Sequence, residues 1–169
     1  MLQIYTGNGK GKTTAALGVA FRAAGYGLSV IMYSFFKDDP EYGEARAEKL
    51  LPNFILRQIG RDSFVNFKNP DPVDLKMCLN GWKQAKQSIL CKEADIIILD
   101  EINIALAVKM LAVDEVSEFL KLHKNDAEII MTGRYAPEEI IKIADLVTDM
   151  QEVKHYFHKG VASRNGIDH

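Results

Sequence analysis

Short apolar runs alternate along this chain with longer stretches in which apolar residues recur every three or four positions. Residues 2–6 read as a strand that ends in a glycine-rich loop. Residues 13–24, rich in Ala and Leu, read as a helix stopped near "GYG". Residues 28–34 and 54–59 read as strands, with a helix over 44–51 between them and an irregular loop over 60–72 after them. From Val73 to Cys91 the positions of Leu75, Leu79, Trp82, Ala85 and Ile89 draw one helical stripe, which assigns Trp82 to the core. "DIIILD" and "AEIIMTG" are unbroken apolar runs, the pattern of strands buried on both faces. Helices are expected over 104–110 and 113–123. Pro137 opens another, with Glu138 and Glu139 in its first turn, where the helix dipole favours acid. Residues 146–151 make the last strand, and the tail beyond Glu152 is mixed.

Strands alternating with helices imply an α/β architecture with a mostly parallel sheet. In such sheets the ligand lies beyond the carboxyl ends of the strands. Residues 6–13, Asp100 with Glu101, and residues 132–134 each directly follow a strand. All three are expected to converge on one edge of the sheet.

Composition narrows the classes. At 169 residues, 47% hydrophobic and 26% charged, the chain has the profile of a single globular domain. A net charge of −2 gives no general attraction to nucleic acid or to an anionic membrane. The two cysteines, Cys78 and Cys91, lack C-x-x-C spacing, so neither a zinc site nor a disulfide framework is suggested, and a cytoplasmic location is expected. No apolar run reaches the length of a membrane span.

The chemistry starts at "TGNGKGKTT". The usual phosphate-binding pattern, G-x-x-x-x-G-K-[ST], wants a glycine at the position of Thr6; here the first glycine, Gly7, comes one place late. The second half is intact and stands between a strand and a helix. Glycines let the backbone turn its N–H groups inward, and the helix adds its positive end. Lys12 supplies a charge to phosphates, and the Thr13 hydroxyl is placed to reach a magnesium ion. Lys10 adds a second charge within the loop. A buried strand ending in Asp100 and Glu101 is the usual second half of a magnesium–nucleotide site. No N-K-x-D motif is present, which argues against a GTPase.

The rest of the chain resembles, nearly end to end, the P-loop ATP:corrinoid adenosyltransferases. The resemblance is carried by "TGNGKGKTTAALGVAFRAAGYG", "FFKDDPEYGE", "DIIILDEIN", "TGRYAPEEIIKIADLVTDM" and "VKHYFHKGVASRNGID". It implies a RecA-like P-loop NTPase fold, a three-layer sandwich in one domain over 1–169, working as a homodimer. It implies that cobalt(I) of a reduced corrinoid attacks the 5′-carbon of ATP and that triphosphate leaves, in adenosylcobalamin synthesis or salvage. ATP is then the co-substrate, magnesium the cofactor and the corrinoid the substrate; an electron-donor protein such as a flavodoxin is a compatible partner. The loop with the late glycine looks like this family's own variant, and it holds the nucleotide turned around relative to other P-loop enzymes.

The same resemblance assigns residues. Lys12, Thr13 and Glu101 take the catalytic role. Gly7, Asn8, Gly9, Lys10, Gly11, Lys12, Thr13 and Thr14 bind phosphates, joined by Arg22, near the nucleoside, and Arg134. Glu101 and Thr13 hold magnesium, with Asp100 acting behind them rather than by direct coordination. The family displaces the lower axial ligand of cobalt(II) with aromatic side chains in a stretch of the type G-F-T-W. The counterpart here is "GRDSFVNF", which offers Phe64 and Phe67 and lacks the tryptophan. The sequence begins at its first strand, so a lid over the corrinoid is expected from elsewhere, with the tail around His155 and His158 a candidate. Two other readings stay open: an ATPase or kinase of the same fold, and a nucleotide- or corrinoid-binding protein without turnover.

Overall fold

A computed structural model describes residues 1–168. The strands are β1 (Leu2–Thr6), β2 (Val30–Phe35), β3 (Phe54–Ile59), β4 (Ile96–Asp100), β5 (Glu128–Thr132) and β6 (Leu146–Asp149). The helices are α1 (Lys12–Gly25), α2 (Gly43–Glu48), α3 (Pro72–Leu90), α4 (Ile102–Ala107), α5 (Val113–His123) and α6 (Glu138–Ile143). A 3₁₀ turn follows at Tyr156–Lys159. All six strands join one sheet in the order β3-β2-β4-β5-β1-β6, and every pairing is parallel.

The apolar runs explain the layers. Successive side chains of a strand point to opposite faces. In β4, Ile97 and Leu99 join one core with Trp82, Ile89, Leu106, Val116 and Leu120, while Ile96 and Ile98 join a second with Ala16, Ala20 and Phe54. Helices α3 to α6 therefore cover one face, and α1 with α2 the other. On α1 the buried side chains Ala16, Ala20 and Ala23 form one narrow stripe at helical spacing. Small residues there let the helix lie close to the sheet, leaving its first turn pointed at the end of β1.

The expected strands are all present; β1 and β3 keep their expected bounds, and the other four differ at their ends. Helix α4 begins at Ile102 rather than Ile104, because Glu101 adopts a left-handed conformation (φ 62°) that turns the chain straight from β4 into the helix. Strand β6 stops at Asp149 and lies at the sheet edge, where its residues are exposed. Trp82 is buried, as its place in the stripe required. Its ring meets Phe119 edge-on at 5.5 Å, and Nε1 donates to Glu115 Oε1 at 3.2 Å. Among the described residues no helix is long and apolar enough to cross a membrane.

Removing the indole would leave a cavity between α3 and α5. Trp82→Ala is expected to lower stability by about 3–5 kcal/mol, read as a shift of the urea unfolding midpoint. An unchanged midpoint would remove Trp82 from the core.

Candidate active site

The loop after β1 is shaped by what it packs on. Thr6 still belongs to β1, opposite Asp149 of β6, and its Oγ1 accepts from the Ala136 N–H at 3.3 Å. The chain turns one residue later, at Gly7, which has φ 97°. A Cβ on Gly7 would stand 2.2 Å from Asp149 Oδ1 and 2.5 Å from the Met150 carbonyl oxygen. On Gly9 it would stand 2.6 Å from that same oxygen, to which the Gly9 N–H donates at 2.6 Å. The late glycine is thus the consequence of a strand that pairs one residue further and a loop pressed against the exit of β6.

Lys12 opens α1 and is buried, with Nζ donating to the Gly9 carbonyl at 2.6 Å. Burial lowers its pKa; Arg134 pushes the same way, against the pull of Glu101 and Asp100. The ammonium therefore rests on the loop's own carbonyl, ready to exchange that partner for a phosphate oxygen.

Asp100 is the centre of the opposite wall. Its carboxylate is fully buried and accepts from four side chains. Thr13 Oγ1 donates to Oδ1 at 2.8 Å and Thr132 Oγ1 at 2.6 Å; Ser34 Oγ donates to Oδ2 at 3.1 Å and Lys37 Nζ at 2.8 Å. Burial alone would raise its pKa, but the Lys37 charge and these hydrogen bonds outweigh it and hold Asp100 ionised. Lys37 responds in the same sense: burial would lower it, and Asp100, with Glu44 behind, pushes it up. With its lone pairs engaged, Asp100 is poorly disposed to take a metal. By accepting the Thr13 proton it leaves the Thr13 oxygen turned lone-pair outward.

Glu101 differs. Its N–H donates to Thr132 Oγ1 at 3.0 Å, but side-chain Oε2 is buried with no hydrogen-bond partner among the described residues. Burial raises its pKa, and the adjacent Asp100 charge raises it further. Glu101 lines one cavity with the phosphate loop and Thr13, and a carboxylate with an unpaired oxygen beside a hydroxyl is a donor set a hard divalent cation takes. The residues present fit magnesium. Among the described residues no group of three or more His, Cys, Asp or Glu could hold a metal, so the site offers two adjacent acids and a hydroxyl rather than a protein cage. His158 Nε2 instead pairs with Glu152 Oε1 at 2.6 Å.

Two cavities meet at Thr13, Thr14 and Glu101. One, of about 470 Å³, contains Gly9 to Thr14 and Arg134, closed by His155, Tyr156 and Phe157 of the tail. The other, of about 580 Å³, extends past Lys37 and Glu44. The tail is tied to the loop through Lys10, whose Nζ donates to the Ile167 carbonyl at 2.8 Å and pairs with Asp168 at 3.4 Å.

Arg22 and the aromatic pair fall outside this convergence. Arg22 stands in the last turn of α1, close to Tyr5, and lines neither cavity. Phe67 packs edge-on against Phe36 at 5.1 Å, beside Lys37, while Phe64 is fully exposed. Sequence reasoning missed Lys37, Ser34 and Glu44. The signal for Lys37 was available: like Glu101, it follows a buried strand at its carboxyl end.

A parallel sheet with a glycine loop opening α1 and acids ending β4 defines a P-loop nucleotide-binding protein. The chain belongs to the family described as ATP:corrinoid adenosyltransferase BtuR/CobO/CobP, whose pattern it matches over residues 1–169. It is similar to the corrinoid adenosyltransferase of Escherichia coli K12, 34% identical over 98% of this chain and 84% of that protein. The corrinoid adenosyltransferase CobA of Salmonella typhimurium gives the same identity and coverage. Among solved structures, the flagellar accessory protein FlaH of Methanocaldococcus jannaschii shares the fold, with a TM-score of 0.57 and 18% identity over 88% of this chain and 69% of that one.

The Glu101 environment has a signed pH consequence. A carboxyl whose folded pKa is raised binds its proton more tightly in the native state, so stability falls as pH rises from the unfolded value through the folded one. In chelator, Glu101→Gln is expected to be more stable than the parent at neutral pH, with the gap closing towards pH ~4, as followed by thermal unfolding. A gap that stayed constant with pH would contradict this environment.

Proposed function

We propose that this protein transfers the 5′-deoxyadenosyl group of ATP to the cobalt(I) of a reduced corrinoid, releasing triphosphate. A cobalt electron pair forms the bond to C5′ as the C5′–O bond breaks; the leaving pair stays on triphosphate oxygen, and cobalt ends formally as cobalt(III). The observation that carries the reading is full-length membership of the adenosyltransferase family, joined to a cavity lined by Lys10, Lys12 and Arg134 together with Glu101. Three cations around one cavity suit an extended polyphosphate held whole, rather than one terminal phosphate presented for transfer.

In this mechanism the chain does little covalent chemistry. Its loop N–H groups and the buried Lys12 neutralise the charge that grows on the departing oxygen. Thr13 and Glu101 would hold magnesium, which supplies Lewis-acid stabilisation of the triphosphate when bound. Asp100 keeps Thr13 oriented, and the Lys37 charge keeps Asp100 ionised. The tail residues that close the phosphate cavity would serve as its lid. Phe64 and Phe67 would meet the lower face of the corrinoid, a role that gives an otherwise solvated phenyl ring something to cover. A single domain, a homodimer, a cytoplasmic location and a separate electron-donor protein complete the proposal.

Incubation with ATP, magnesium and chemically reduced cobalamin should yield triphosphate and the adenosylated corrinoid. Lys12→Ala should fold normally by circular dichroism and lose turnover by on the order of a hundredfold or more. Release of ADP by the parent would favour a kinase or ATPase instead.

A further inference from the structure

Residues 60–71 connect β3 to α3 and carry Phe64 and Phe67. The segment starts pressed against the turn after β2. A Cβ on Gly60 would stand 2.5 Å from the Lys37 nitrogen and 2.8 Å from the Lys37 carbonyl oxygen. That turn offers Phe36 to the Phe67 ring and Lys37 to Asp100. The segment contains local turns: the Ser63 N–H donates to the Arg61 carbonyl at 2.7 Å, and the Asn69 N–H to the Asn66 carbonyl at 3.0 Å. Its two ends are joined by one side chain. Arg61 donates through Nε to Asp74 Oδ1 at 2.7 Å and through Nη2 to Asp74 Oδ2 at 2.8 Å. The same Nη2 also donates to Asp71 Oδ2.

Both acids sit where a helix would use them itself. Asp71 is the N-cap of α3, the position at which an aspartate ordinarily accepts from the first free N–H groups. Among the described residues its carboxylate makes no such bond and is turned to Arg61 instead. Asp74 stands in the first turn and is buried, and both of its oxygens go to the guanidinium. A planar guanidinium matches a carboxylate with two parallel bonds, and a buried carboxylate needs such a partner. The acids at the start of α3 therefore serve the loop rather than the helix. We infer that Arg61 is a positioning residue: its fork holds residues 62–70 as a closed loop, so that the exposed Phe64 and the packed Phe67 are presented to the corrinoid in one fixed arrangement. The inference rests on the reading that these rings meet the lower face of the corrinoid. Without the fork the loop would be ordered only on binding, and that entropic cost would fall on corrinoid affinity and not on ATP.

The test removes the fork without stranding a buried charge, by combining Arg61→Gln with Asp74→Asn. Three quantities are measured: trypsin cleavage after Lys68, which lies inside the loop; the KM for cobalt(II) cobalamin with ATP, magnesium and a mild reductant; and ATP affinity by calorimetry without corrinoid. Cleavage after Lys68 is expected to quicken by about tenfold or more as the loop opens. The corrinoid KM should rise roughly tenfold, and ATP affinity should stay at the parent's value. Arg61→Lys keeps the charge and loses the fork, so it should fall between parent and paired variant, and it decides the matter if the paired variant does not fold. Cleavage as slow as the parent's, or a matching loss of ATP affinity, would overturn the positioning role. Phe64→Ala is the comparator. If it raises the corrinoid KM and the loss of the fork does not, the positioning role is overturned and the aromatic reading stands. If neither raises it, the aromatic reading fails, and this one with it.

Discussion

The carboxylate of Asp100 organises everything near the loop. It draws donors from α1, β2 and β5, and from the turn after β2, into one buried cluster. Burying such an anion is costly unless it is paired and hydrogen-bonded. Here the cost is met by one cation and three hydroxyls, each from a different segment. The sheet order makes this achievable, since β4 lies between β2 and β5 and all three end at the same edge. The price of the arrangement falls on Glu101, which is left beside a permanent negative charge with an orphaned oxygen. A site with one satisfied and one unsatisfied carboxylate is poised to gain from a cation.

The same economy appears in the loop. Its glycines serve two masters: they free the backbone for phosphate, and they allow close approach to Asp149 and Met150. The Gly9 N–H is already engaged by the Met150 carbonyl, and the Lys12 ammonium by the Gly9 carbonyl. Phosphate must therefore compete with the Gly9 carbonyl for Lys12. Lys10 is held likewise by the tail, where Asp168 is kept well below the ordinary carboxylate range by the Tyr156 hydroxyl, then by Arg164 and Lys10. Lys10 thus belongs both to the loop and to the contact that seats the tail.

Local signals carried most of the fold. The double-faced apolar runs named the inner strands, and the stripe through Trp82 named α3, because period and burial are written in consecutive residues. The loop and the acids at the end of β4 were legible for the same reason. Ser34 and Glu44 were not, since each acquires its role only when the sheet order sets β2 beside β4; Lys37 was legible as a residue at a strand's carboxyl end, but not as the partner of Asp100. The tail was equally opaque: nothing near Asp168 announces that it will meet Lys10. Arg22 shows the opposite relation between sequence and space. Its neighbours in sequence lead into the site, but ten residues of α1 carry it about 15 Å away at 1.5 Å per residue.

The central claim is a division of labour between adjacent acids, with Asp100 organising and Glu101 binding. Anomalous diffraction from crystals soaked with manganese and tripolyphosphate tests it most directly, because it locates the metal without reference to activity. The account predicts a single metal bonded to Glu101 and to the Thr13 hydroxyl, with the four donors to Asp100 still in place. A metal bonded directly to Asp100, with Lys37 or Thr132 displaced, would contradict it.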